Sequence, residues 1–239
     1  MPTPRSPMLC DAGASKPWAR QPPRGSGMPT IDDARAWYPA YDPVHGFDHV
    51  LRVVRMAERI GRELGADLEV LRAAGLLHDA SGAAPGVESG RADHERASAD
   101  FAAQVLRAEG WPDDRIESVV HCIRSHRFRS VEAPRSLEAK ILYDADKLDV
   151  LGAFGVARTI GYALQAGEPI FADPSAQFRD TGQPLPGEPH SAYHEYLFKL
   201  RHVAGRLHTE PARRIGAERA ALMRRFFEAL EDEASAASS

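Results

Sequence analysis

From Phe47 onward, apolar residues recur at helical spacing through almost the whole chain, and that period restricts the fold to packed helices. Val50, Val53, Val54, Ala57, Ile60 and Leu64 form one stripe, which Gly65 stops. Asp67 caps a second helix that runs to about Asp79, with Leu68, Leu71, Ala74 and Gly75 on one side and His78 continuing that face. Asp93 caps a third, whose face carries His94, Ala97, Phe101 and Val105 and which ends at Gly110-Trp111-Pro112. The next opens near Asp113 with Ile116, Val119, Val120 and Ile123 inside, so that His126 falls on the same side one turn later. Ser136 then caps a helix with Leu137, Ile141, Ala145 and Leu148 in its stripe, interrupted by Asp144, Asp146 and Asp149. Helices over about 190–208 and 211–231 close the chain. With no alternating strand pattern, the expected fold class is all-α.

Between these helices lie segments of a different composition. Residues 1–27 hold six of the 18 prolines with no hydrophobic period, and are expected to form a disordered tail. Met28 precedes the first structured segment, and translation from it would leave the tail out. The prolines argue against an amphipathic targeting helix. Residues 80–92 are rich in Gly, Ala and Ser, and a dozen such residues beside a compact core read as a lid over a site. Residues 166–190, with five prolines and three glycines, read as a long loop. The formal charge is −4, without the basic surplus of a dedicated nucleic-acid binder. No stretch nears the roughly 18 apolar residues of a membrane span, so a cytoplasmic protein is expected. Cys10 and Cys122 make neither a disulfide framework nor a zinc cluster.

Four residues carry the chemistry: His49 at the start of the first long helix, the adjacent pair His78-Asp79 ending the second, and Asp146 inside a later one. Two imidazole nitrogens and two carboxylate oxygens suit a divalent first-row ion, and their wide separation requires three helices to converge, leaving open positions for water and substrate. The structural alternatives are that His49 caps its helix and that Asp146 only pairs with Lys147. His94 and His126, on core-facing stripes between the ligand segments, are placed to hold substrate phosphates, act in catalysis or complete a second metal site. Lys147 is positioned to pair with a phosphate or with Asp144. Asp144 is expected to orient a ligand histidine and Asp48 to cap the helix of His49, whereas His121 falls on the surface. Arg124, Arg127, Arg129, Arg213 and Arg214 read as a solvated face.

The ordered set His49, Leu76-Leu77-His78-Asp79 and Asp144-Ala145-Asp146-Lys147-Leu148-Asp149 resembles the HD-domain superfamily of metal-dependent phosphohydrolases. His45-Gly-Phe-Asp48-His49, Asp93-His94-Glu95, Ser125-His126-Arg127-Phe128 and Leu207-His-Thr-Glu210 with Ala212-Arg-Arg214 are similar to its bacterial YedJ/YpgQ-like branch. The resemblance, over about residues 32–232, implies a helical bundle with a metal site between helices. One ion is then held by His49, His78, Asp79 and Asp146, with Mn²⁺ first and Ni²⁺, Co²⁺, Fe²⁺, Zn²⁺ or Mg²⁺ as alternatives. It also implies that nucleoside triphosphates are cut to monophosphate and pyrophosphate, with other phosphoesters, di-iron oxygen chemistry and an inactive binding module as competing readings. The catalytic set is then Asp79, His94 and His126, with Lys147 and His126 on the substrate. Many relatives carry an acid shortly after the His-Asp pair, where this chain has Ala80-Ser-Gly-Ala-Ala84, leaving Glu88 or Asp93 for that role. The domain then spans 28–239, with a metal-binding core over about 45–155 and a helical extension over about 156–235. Its partner is a nucleotide, and a homodimer is compatible with this reading.

Overall fold

A computed structural model describes residues 27–38, 46–80, 94–127 and 132–236, the side chain of His94 excepted. The tail before Gly27, residues 81–92 of the segment read as a lid, and His45, Glu88, Asp93 and Arg129 therefore lie outside the described residues. The described residues are helical without strands. They comprise α1 (Ile31–Arg35), α2 (Phe47–Leu64), α3 (Leu68–Leu77), α4 (His94–Ala108), α5 (Asp113–Arg124), α6 (Leu137–Asp149), α7 (Gly152–Gln165), α8 (Ala176–Thr181), α9 (Ala192–Phe198) and α10 (Glu210–Ala236). Two 3₁₀ turns, Leu200–His202 and Ala204–Arg206, link α9 to α10.

The caps read from the sequence mostly form. Asp67 accepts from the amides of Glu69 and Val70 at the start of α3, and Ser136 from Ala139 at the start of α6. Gly65 closes α2 in the left-handed conformation, which glycine adopts without Cβ strain. Asp48 is a correction: the N-cap of α2 is Gly46, without a side-chain hydrogen bond, and Asp48 lies exposed in the first turn, where its charge complements the helix dipole. Two further differences concern the C-terminal half. The 166–190 segment contains the short helix α8, which Ser175 caps, and the helix expected over 190–208 breaks after Phe198 into the two 3₁₀ turns.

At the centre, α2 packs against α3 and α6, and α3 also packs against α5. The stripe residues Val50, Val53, Ala57 and Ile60 of α2 and Leu71, Ala74 and Leu77 of α3 are buried together. Gly75 makes their close approach feasible: a Cβ there would stand 2.8 Å from Val54 Cγ2. Burial of these two faces draws the N-terminus of α2, which bears His49, toward the C-terminus of α3, which bears His78, and α6 brings Asp146 against them.

Candidate metal centre

The site is assembled where α2 begins, α3 ends and α6 enters its last turn. One ligand atom each from His49, His78 and Asp79 lies within 4.8 Å of the others. Asp146 joins from the His49 side, its Oδ1 3.4 Å from His49 Nε2. His126, after α5, places Nε2 3.5 Å from Asp79 Oδ1, and its ring centroid is 5.3 Å from that of His78. Lys147 reaches Asp146 Oδ2 at 2.5 Å and not Asp144. The structure therefore brings together six of the seven residues singled out for the site; His94 opens α4, and its side chain lies outside the described residues.

Hydrogen-bond chemistry assigns the ring tautomers. His78 Nδ1 is 2.8 Å from Gly75 O and His126 Nδ1 is 2.6 Å from Ile123 O. A carbonyl oxygen only accepts, so in both rings Nδ1 carries the hydrogen and donates it. His78 Nε2 is then a lone pair; it is fully buried and has no hydrogen-bond partner. Leaving such an acceptor unmatched costs about 1–3 kcal/mol. Burial lowers the pKa of His78, so the ring stays neutral with that lone pair facing the cluster. A lone pair among carboxylates, on a neutral imidazole whose other nitrogen is pinned, is the donor a divalent cation requires, and the residues fit one.

His49 is oriented the same way by a carboxylate. Its Nδ1 donates to Asp149 Oδ2 at 2.6 Å, which turns Nε2 toward Asp146. Asp149 in turn accepts from Arg52 Nε at 2.6 Å and from Arg158 Nη1 at 2.7 Å. Burial pushes the His49 pKa down, but the hydrogen bonds to Asp146 and Asp149 outweigh it and hold it above the ordinary imidazole value. Burial likewise opposes the charge on Asp146, yet Lys147, then His49, hold its carboxyl well below the usual range.

Asp144 corrects the sequence reading. It accepts from the amides of His208 and Thr209, at 2.8 and 2.7 Å, and from the Thr209 hydroxyl at 2.7 Å, so it anchors the start of α10 and orients no ligand histidine. The orienting carboxylate is Asp149, five residues on, together with Arg52 and Arg158, which no motif marked. A signal was present: Asp149 is three residues, about one helical turn, after Asp146 and on the same face. His121 is part-buried, not on the surface, because its Nδ1 meets Glu132 at 2.6 Å and its Nε2 accepts from the Arg135 amide. The arginines are engaged with protein: Arg127 with Glu95, Arg214 with Glu63 and Glu210, and Arg213 with Leu207 O.

With this geometry in place, residues 46–151 match the family model of the HD domain. Those residues are an HD domain. Among relatives, the protein YpgQ of Bacillus subtilis is 29% identical over 191 residues, covering 78% of this chain and 83% of its own. A Lactobacillus plantarum protein of known structure is similar with a TM-score of 0.68 and 28% identity, over 86% of this chain and 95% of its own. The YpgQ structure in complex with ADP gives 0.64 and 27%, over 85% and 94%. A protein of an uncultured Thermotogales bacterium described as a predicted HD superfamily hydrolase gives 0.57 and 26%, over 85% and 90%. In each structural comparison the likeness covers more of the chain than residues 46–151.

Proposed function

We propose that this chain is a divalent-metal-dependent phosphohydrolase acting on nucleotides, which cuts nucleoside or deoxynucleoside triphosphates to the monophosphate and pyrophosphate. The observation that carries this reading is the buried, unpartnered Nε2 of His78 among His49, Asp79 and Asp146. The solved complex of YpgQ with ADP and the hydrolase description of the Thermotogales relative support the substrate class and the reaction. His49, His78, Asp79 and Asp146 would hold the ion, with Mn²⁺ as the first choice. When bound, a divalent ion supplies Lewis acidity, bringing water toward deprotonation near neutral pH and offsetting charge that develops on phosphoryl oxygens.

The chain's own residues do the rest. Asp79 stands between His78 and His126, so one of its oxygens serves the ion while the other orients attacking water and takes its proton. His126, with Nε2 toward Asp79 and Nδ1 fixed on Ile123 O, passes that proton on or holds a phosphate oxygen. Lys147 keeps Asp146 ionised and adds a positive charge beside the phosphates. His94 completes the catalytic set from the start of α4. No described helix is long and apolar enough to cross a membrane, and in this reading the enzyme works on soluble nucleotides in the cytoplasm.

The test is a panel of nucleoside mono-, di-, tri- and cyclic phosphates offered to metal-stripped protein refilled separately with Mn²⁺, Co²⁺, Ni²⁺, Mg²⁺ and Zn²⁺, with His78→Ala as control. Metal-dependent pyrophosphate from triphosphates, absent in the variant, is the expected result. Turnover confined to monophosphates or cyclic nucleotides would replace the bond assigned here, and wild-type rates in His78→Ala would end the enzymatic reading.

A further inference from the structure

Residue 38 lies outside the span 46–151, yet its hydroxyl is built into the turn that carries His78 and Asp79. At the end of α3 the amide of Ala80 bonds to Leu77 O, three residues back, at 3.2 Å. The carbonyl of Leu76, which a continuing helix would have matched to that amide, is taken by Tyr38, whose Oη donates to it at 2.9 Å. The backbone amide of Asp79 hydrogen-bonds to the same phenolic oxygen. One hydroxyl thus donates to one strand of the turn and accepts from the other, across the residues that flank His78.

The ring holds the other side of the site. Tyr38 is buried, with its ring centroid 5.4 Å from that of Phe47, the first residue of α2 and two before His49. Arg35 lies over the opposite partner of that pair, 4.6 Å from the Phe47 centroid, and Trp37 meets Phe101 of α4 edge-on at 5.5 Å. A single side chain therefore touches both segments that present the histidine ligands.

We propose that Tyr38 is a positioning residue for the metal centre: its hydroxyl bridges the last turn of α3 and fixes the direction of the His78 and Asp79 side chains, while its ring sets the start of α2 against that turn. This inference rests on the reading of the cluster as a metal site. Residues before the HD domain thereby complete the site, and Tyr38 acts through the ligands without touching substrate.

Tyr38→Phe keeps the ring and removes only the hydroxyl, so the variant folds. Full-length wild type, Tyr38→Phe and His78→Ala are stripped of metal and titrated with Co²⁺, following the visible absorption of the bound ion. Amide exchange at residues 76–80 is measured on the metal-free proteins. Phe101→Leu, which loosens the Trp37 contact away from the turn, controls for stability. The expected result is that Tyr38→Phe binds Co²⁺ about 10-fold or more weakly, with an altered spectrum, the loss typical of partners that orient metal ligands. Amides 76–80 should exchange faster, whereas Phe101→Leu melts earlier without a change in Co²⁺ affinity. Wild-type affinity, spectrum and exchange in Tyr38→Phe would overturn the inference and leave the proposed function standing. Failure of wild type to take up Co²⁺, or equal uptake by His78→Ala, would instead overturn the metal reading and this inference with it.

Discussion

Two histidines among the described residues are completely buried, and they are treated in opposite ways. His194, in α9, has both ring nitrogens matched: Ser191 Oγ lies 2.7 Å from Nδ1 and Glu188 Oε1 lies 3.2 Å from Nε2. Glu188 also accepts from the amides of Ser175 and Leu185 and from the Ser175 hydroxyl, so the cluster is closed within the protein. His78 has one nitrogen on Gly75 O and the other without a hydrogen bond, 3.4 Å from Asp79 Oδ2. Burial alone therefore does not distinguish a structural histidine from a ligand. The distinguishing property is saturation: a network that closes on itself stabilises its segment, whereas one that stops at a buried lone pair is complete only with something bound.

The largest expected effects come from breaking each cluster at its histidine. His78→Ala should lower metal affinity by about 100-fold or more, beyond the cost of losing an orienting partner, and abolish metal-dependent hydrolysis. Its melting midpoint without metal should change little, because relief of the unmatched Nε2 offsets the lost ring packing and the lost hydrogen bond to Gly75 O. His194→Ala should do the reverse. Unmatching Ser191 and Glu188 costs about 2–3 kcal/mol, a fall of roughly 5–10 °C in melting midpoint for a chain of this size, with the hydrolysis rate per folded molecule at low temperature unchanged. Metal titration, thermal melts and rate assays on both variants read the contrast, and a stability loss in His78→Ala as large as in His194→Ala would erase it.

A smaller effect is expected from Asp149→Asn, which keeps the shape of the side chain but removes the charge that holds His49, Arg52 and Arg158. Metal affinity should fall by about 10- to 100-fold, measured by competition with a chelator. Unchanged affinity would mean that packing alone orients His49. Gly75→Ala should cost about 1–3 kcal/mol in a denaturant melt, since the added methyl would meet Val54 where α2 and α3 converge.

The helices were legible because each depends on a period and a local cap: the stripe from Val50 to Leu64, Asp67 at the start of α3 and Ser136 at the start of α6 need no distant partner to be recognised. The cluster of His49, His78, Asp79 and Asp146 was legible for a different reason. Two of these residues interrupt apolar stripes where a charge or imidazole is costly without a partner, and the ordered set is specific. What escaped were roles decided by packing between elements. Asp144 and Asp149 lie on one helix, but only the approach of α10 assigns the first to Thr209 and only the approach of α2 assigns the second to His49. Asp48 failed as a cap because α2 starts two residues earlier than its position requires. The Glu188 cluster lay hidden in a segment that reads as loop, since five prolines and three glycines mask a fold organised by one carboxylate.

That carboxylate gives the smallest effect and the one most specific to the closed cluster. Hydrogen bonds from the amides of Ser175 and Leu185, with those from the Ser175 hydroxyl and His194, bring the Glu188 pKa down to about 2 from an ordinary 4.5. A group whose folded pKa is depressed contributes stability above its unfolded value and loses it as pH falls through the folded one. Glu188 therefore stabilises the 166–190 segment fully at neutral pH, and that contribution should disappear between about pH 4.5 and pH 2. Glu188→Gln never carries the charge, so it should melt below wild type at pH 7, with the gap narrowing across that window. Melts of both proteins at pH 7, 4 and 2 measure the gap directly, and because Asp149 is present in each, its own acid titration cancels in the difference. A gap independent of pH would show that shape, not charge, closes this cluster, and would remove the electrostatic half of its contrast with the open one around His78.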